Sequence, residues 1–204
     1  MAKTTNLTIT NFVSNDNVKC CPQEKKPEYA FIGRSNVGKS SLINMILNHK
    51  ISYTSSKPGR TQSINHILVN NSWHLVDLPG YGYAKIAKTK RTQILKMSQN
   101  YFTSRTKQLI AVFILIDIRI PPQKIDLDWM EWLTKNKLFF IRVFTKSDGI
   151  NTNQITKSIT TYDNLMLKTW TKIPETIITS SKSRSGRDDM LIRVLELNKL
   201  FQNI

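Results

Sequence analysis

One stretch of the chain has the makings of an anion site: Gly33-Arg34-Ser35-Asn36-Val37-Gly38-Lys39-Ser40-Ser41. The spacing is Gly, four residues, Gly-Lys-Ser, a loop pattern that wraps backbone N–H groups around phosphate. Two glycines permit the backbone turns this requires. Lys39 can reach terminal phosphates, and the Ser40 hydroxyl can ligate Mg²⁺. The motif has meaning only between a strand and a helix. Tyr29-Ala30-Phe31-Ile32 before it reads as a buried strand, and Leu42 to Leu47 after it reads as a helix. A helix N-terminus at Lys39-Ser40 would add unpaired donors and a positive dipole end.

Two further stretches belong to the same chemistry. Gly59-Arg60-Thr61 sits where a loop would pass over the phosphates, with Thr61 giving a hydroxyl to Mg²⁺ and an N–H to the γ-phosphate. Asp77-Leu78-Pro79-Gly80 ends a strand one hairpin downstream. Asp77 can hold Mg²⁺ through water, and Gly80 can bring its N–H close to the γ-phosphate. Lys39, Thr61 and Gly80 are therefore the candidate catalytic group, to which only a family resemblance given below adds Asn36.

The base is indicated by two later strand ends. Thr145-Lys146-Ser147-Asp148 and Thr179-Ser180-Ser181 follow apolar runs, and ligands in open α/β sheets lie beyond the C-terminal ends of strands. Asp148 can accept from N1–H and the exocyclic amine of guanine. Adenine offers no such pair, so the carboxylate would stay desolvated and unpaired. Lys146 can lay its stem over the base, and the Ser181 N–H can serve the guanine carbonyl. The site reads as one for GTP.

The elements that must position these residues alternate strand with helix. Ile64 to Val69 and Trp73 to Val76 read as a hairpin around Asn70-Asn71-Ser72. His66 and His74 flank that turn; with no carboxylate or Cys beside them they read as surface histidines rather than a metal pair. A helix is expected from about Lys88 to Arg105, basic and carrying Tyr101 and Phe102. Its aromatics either contact RNA or turn inward from a solvated lysine face. Leu109 to Ile118 reads as the central strand. Trp129 and Trp132 lie on an amphipathic helix, where core or interface packing is the commoner use. The fold class is α/β: a six-stranded, mostly parallel sheet with one antiparallel edge strand and helices on both faces. The expected organisation is a polar lead-in over 1–26, with a weak strand signal at Asn11-Phe12-Val13, and one domain over 27–204.

Length and composition bound the rest. The 204 residues suit one α/β domain with a proper core, and 40% hydrophobic content is globular. No run is long enough for a membrane span and Met1 to Thr10 lacks a signal-peptide core, so a cytoplasmic location is expected. Cys20 and Cys21 are adjacent and read as reduced thiols without a role. Lys and Arg total 30 against 14 Asp and Glu, a net charge of +16. Nucleotide binding alone does not need that field, which attracts polyanions such as RNA.

At the level of motifs the chain resembles the translation-factor-like GTPases, and within them the EngB family of ribosome-biogenesis GTP-binding proteins. The resemblance rests on residues 33 to 44, Lys57-Pro58-Gly59-Arg60-Thr61-Gln62, Val76-Asp77-Leu78-Pro79-Gly80-Tyr81-Gly82-Tyr83-Ala84 and Thr145 to Asp148. It implies a Ras-like GTPase domain and a switch in assembly of the large ribosomal subunit. The implied partner is a subunit precursor or rRNA rather than DNA, for a chain monomeric in isolation. Septation and cell division are the cellular processes it implies. A constitutive basic RNA-binding scaffold with a non-cycling nucleotide site is the alternative. Three positions stand out against the wider GTPase pattern. Thr145 replaces the usual Asn, which implies a weaker bridge from base to phosphate loop. Tyr81 replaces the water-orienting Gln, which implies slow intrinsic hydrolysis. Asn36 matches an asparagine that binds K⁺ in some related GTPases.

Overall fold

The computed structural model describes residues 6–51, 63–82 and 87–202. In chain order the described elements are β1 (Ile9–Asn15), β2 (Glu28–Gly33), α1 (Lys39–Leu47), β3 (Ile64–Val69), β4 (Trp73–Asp77), α2 (Lys88–Ser104), β5 (Leu109–Asp117), α3 (Lys124–Lys135), β6 (Phe140–Thr145), α4 (Thr152–Met166), β7 (Thr176–Ile178) and α5 (Arg187–Gln202). The strands form one sheet in the order β1-β3-β4-β2-β5-β6-β7.

The layering follows from side-chain alternation along the central strands. On β2, Tyr29 and Phe31 enter one apolar core while Ala30 and Ile32 enter the other. On β5, Ala111, Phe113 and Leu115 share the first core, and Val112, Ile114 and Ile116 the second. Helices α1 and α5 close the first core through Leu42, Ile46, Met190 and Val194. Helices α2, α3 and α4 close the second through Tyr101, Phe102, Trp129, Met130, Tyr162 and Met166. Strands β4, β2, β5, β6 and β7 run parallel.

Among the described residues the sheet has seven strands rather than six. The seventh is β1, which pairs antiparallel with β3 and places residues 9–15 of the polar lead-in on the sheet edge. Its apolar pattern is faint because one face of an edge strand meets solvent; Phe12 is largely exposed. Strand β3 is antiparallel to both of its neighbours, so the reversed strand lies one place in from the edge.

The hairpin histidines are buried, not on the surface. His66 and His74 stack edge to face with centroids 5.6 Å apart, and His66 Nε2 lies 3.5 Å from Glu28 Oε1. Glu28 starts β2 directly opposite His74 in register. It also accepts from Tyr101 Oη at 2.6 Å and is paired with Arg105. Sequence spacing could not show this carboxylate, which reaches the histidines only through strand pairing. Burial pushes Glu28 upward, but the adjacent His66 ring and hydrogen bonds from Arg105 and Tyr101 outweigh it and hold the carboxyl at about 2. Cys20 and Cys21 are free thiols, and burial pushes Cys21 to about 11.

Aromatics on the basic helix α2 turn inward: Tyr101 and Phe102 are fully buried. Trp129 and Trp132 pack on each other and on Phe102 with centroids 5.6 to 6.1 Å apart. Core packing, not base stacking, uses these rings. No described helix is long and apolar enough to cross a membrane.

Candidate nucleotide site

The phosphate-loop residues lie between β2 and α1, in the strand-to-helix setting their chemistry requires. The two glycines are needed for different reasons. A Cβ on Gly33 would come within 2.9 Å of Leu115 Cβ and Val37 Cγ1, so the loop leaves the sheet too close to β5 for a side chain. Gly38 has φ +103, which other residues rarely adopt. Asn36 is also left-handed, at φ 62, a conformation that asparagine tolerates. Lys39 and Ser40 open α1, so their N–H groups have no partner within the helix.

The Asp77 to Gly80 turn lies beside this loop. Asp77 ends β4 opposite Phe31 of β2, and Leu78 donates its N–H to Phe31 O at 3.1 Å. Asp77 is 1% exposed and Lys39 8%, and the Lys39 ammonium is in direct contact with Asp77 Oδ1. The turn is then sewn to the phosphate loop. Tyr81 donates its N–H to Gly33 O, and Ser35 donates to Tyr81 O, both at 3.0 Å. Gly59, Arg60 and Thr61 lie outside the described residues, as does Tyr83-Ala84-Lys85-Ile86.

The base-side residues converge on the same loop. Thr145 ends β6 and donates its hydroxyl to Val37 O at 2.6 Å. The link from this strand to the phosphate loop is therefore made despite the short side chain. Lys146, left-handed at φ 62, donates to Asn36 O at 2.6 Å and pairs with Asp117 Oδ2 at 2.9 Å. Ser147 donates its N–H to Thr179 O at 3.2 Å, and Ser180 donates its hydroxyl to Asp148 Oδ1 at 2.5 Å. That last bond leads the influences that hold Asp148 below the usual carboxylate range. Thr179 and Ser180 are fully buried and act as the scaffold of this turn. A cleft of about 370 Å³ runs between Gly38, Ser41, Thr145, Lys146, Asp148 and Ser181. Among the described residues that line it, Asp148 is the one carboxylate, and it could accept from a ligand with two N–H donors.

The motifs do not single out one residue of this cleft, Arg119, or its partner Asp117 beside it. Arg119 lines it, and its guanidinium is bound to Asp117 at 2.8 and 2.9 Å. Burial pushes Asp117 upward, but Arg119 and Lys146 prevail and hold it at about 2. The signal was there in Asp117-Ile118-Arg119 at a strand end, but the phosphate and base motifs already accounted for the chemistry. A third residue, Asp126 on α3, also escaped notice. It is fully buried and receives Arg34 Nε at 3.0 and 3.1 Å, Tyr81 Oη at 2.9 Å and Tyr162 Oη at 3.2 Å. Burial raises its pKa, and these three partners oppose the rise.

With a phosphate loop, an acidic strand end and a base cleft on one rim, comparison with known proteins becomes decisive. Residues 28–146 match the family described as 50S ribosome-binding GTPase. The chain is 49% identical over 187 residues to a probable GTP-binding protein EngB of Christiangramia forsetii, covering 91% of this chain and 94% of the relative. It belongs to the EngB family of P-loop GTPases. A probable EngB of Bacteroides fragilis is 47% identical over 197 residues, covering 95% of this chain and 98% of the relative. Among solved structures, a probable EngB matches with a TM-score of 0.70 at 22% identity, covering 84% of this chain and 98% of that one. A point variant of Aquifex aeolicus Era bound to GDP and AlF4⁻ matches at 0.66 and 20% identity, covering 85% and 57%. Era in complex with MgGDPNP and 16S rRNA nucleotides matches at 0.65 and 19%, covering 86% and 57%. These structural likenesses establish that the EngB chain has the GTPase fold.

Proposed function

We propose that this GTPase is a slow nucleotide-dependent switch that acts in the cytoplasm on a precursor of the large ribosomal subunit, through rRNA. The observation that carries the reading is one of linkage. Thr145 and Lys146 tie the base-side turn directly to the Val37 and Asn36 carbonyls of the phosphate loop. A guanine held by Asp148 and phosphates held by Gly33 to Ser41 would thus be read as one ligand. The net charge of +16 supplies attraction to RNA that nucleotide binding does not require. Era, a neighbour in fold of which this chain covers 57%, has been solved in complex with 16S ribosomal RNA nucleotides.

Mg²⁺ fits the donors present: a serine hydroxyl at the start of α1 and a buried carboxylate at the end of the adjacent strand β4. Ser40 would ligate it directly and Asp77 through water, with Thr61 as the further protein donor. Hard oxygen donors few in number suit an ion that shares its shell with phosphates and water. When bound, it would neutralise charge on the β- and γ-phosphates. Lys39 would do the same, and Gly80 would offer its N–H. Slow intrinsic turnover is expected because Tyr81 stands in place of a glutamine and commits its hydroxyl to Asp126. Asn36 is the candidate K⁺ ligand; equal turnover in Na⁺ and K⁺ buffers, with and without ribosomal particles, would remove that role.

Co-sedimentation with ribosomal subunits and their precursors tests the switch. Binding in the presence of a non-hydrolysable GTP analogue should exceed binding with GDP. Equal binding in both states would favour the constitutive scaffold instead.

A further inference from the structure

Asp126 lies outside every motif of the nucleotide site, yet three separate elements converge on it. Arg34, second residue of the phosphate loop, places Nε between both carboxylate oxygens. Tyr81, directly after Gly80, donates its hydroxyl at 2.9 Å. Tyr162 of α4 donates at 3.2 Å. The Tyr81 ring also stacks on Trp129 of α3, with centroids 5.6 Å apart and planes 29° from parallel. Its backbone is already paired to Gly33 and Ser35. Tyr81 is thus held at its N–H, carbonyl, ring and hydroxyl, and the Gly80-Tyr81 peptide has little freedom to swing.

We propose that Asp126 is a positioning residue that pins Tyr81 against the phosphate loop, so that Gly80 is set at the γ-phosphate position before any nucleotide arrives. The inference rests on the reading that Gly80 donates to the γ-phosphate. Loop rearrangement between nucleotide states then begins after Tyr81 rather than at Asp77. A fixed donor adds to GTP affinity because no ordering cost falls due when the γ-phosphate binds. GDP has no γ-phosphate and gains nothing from the pin. The device therefore sets the preference between GTP and GDP.

Tyr81→Phe keeps the ring and its stack on Trp129 but removes the hydroxyl tether. Its affinity for a non-hydrolysable GTP analogue should fall by about ten-fold, the worth of one hydrogen bond to a charged group. GDP affinity should stay within about two-fold. Tyr162→Phe removes a bond to the same carboxylate from an element away from the phosphates, and should leave the ratio of the two affinities unchanged. A general loss of structure would lower both affinities together. Gly80→Ala, measured alongside, tests the underlying reading. If Gly80→Ala lowers analogue affinity and Tyr81→Phe leaves the ratio as in wild type, the pin is refuted and the Gly80 contact stands. Should Gly80→Ala leave analogue affinity unchanged, both are overturned. A ratio altered equally by Tyr162→Phe would also refute the pin.

Discussion

The buried histidine at the far end of the sheet from the phosphate loop makes stability fall in mild acid. His74 is 4% exposed and faces His66, Glu28, Glu24 and Lys26. Burial first, and then repulsion from His66, lowers its pKa from 6.5 to about 4, against the weaker pull of Glu28 and Glu24. Below pH 6.5 the unfolded chain takes up a proton on this ring, while the native ring does not until about pH 4. Stability from the neutral ring is therefore complete above 6.5 and is lost as pH falls toward 4. Integrating between these values gives a loss of about 2 kcal/mol on going from about pH 7 to about pH 5. Glu28 adds to acid sensitivity only lower, as pH falls from 4.5 toward 2. The perturbation is His74→Phe, which keeps an aromatic ring in the site and cannot titrate. Urea unfolding without nucleotide, followed by circular dichroism at the two pH values, measures the difference. Wild type should lose about 2 kcal/mol more than the variant. Equal losses would refute the reasoning, because the proton uptake would then belong to other groups.

Three further outcomes are expected. Asp148→Asn should lower GTP affinity on the order of 100-fold and shift preference toward xanthine nucleotides, since two charge-assisted bonds are exchanged for a mismatched pair; competition binding with both nucleotides checks this, and unchanged guanine selectivity would show the base is elsewhere. Thr145→Val removes a buried hydroxyl that donates to Val37 O and should cost about 1–3 kcal/mol of stability together with weaker nucleotide binding; urea midpoints and a GDP titration measure both, and an unaltered titration would show that the bridge is not part of the site. Arg105→Met strands the Glu28 carboxylate in the core and should cost about 3–5 kcal/mol, while the double variant with Glu28→Gln recovers most of it; a double-mutant cycle reads the coupling.

The nucleotide site was legible because its chemistry is local in sequence. Each motif spans a few residues at a strand end, and a parallel sheet brings strand ends to one rim without further information. The hairpin, β5 and the helix with Trp129 were legible from apolar periodicity for the same reason. What escaped depends on pairing between distant segments. Glu28 meets His66 and Arg105 across strands and an α2 terminus, so the histidines looked unaccompanied. Asp126 sits in an ordinary amphipathic run, and only the fold brings Arg34, Tyr81 and Tyr162 to it. Strand β1 was faint because an edge strand needs few apolar residues. Its evidence is hydrogen bonding to β3, which no composition records.

That edge strand also fixes an order of assembly. Residues 9–15 are synthesised before β2, yet their pairing partner β3 emerges about 50 residues later, so closing that contact carries a long-loop cost. Strand β3 in turn is held by β4, which docks on β2. The nascent chain can build outward from β2 and add β1 last on that side. On one face of that centre, Val194 O and Asn198 of α5 accept from the Tyr29 hydroxyl of β2. Strand β1 and helix α5 thus become late locks on a centre made early, and slow steps in folding should map to these two elements rather than to the phosphate loop.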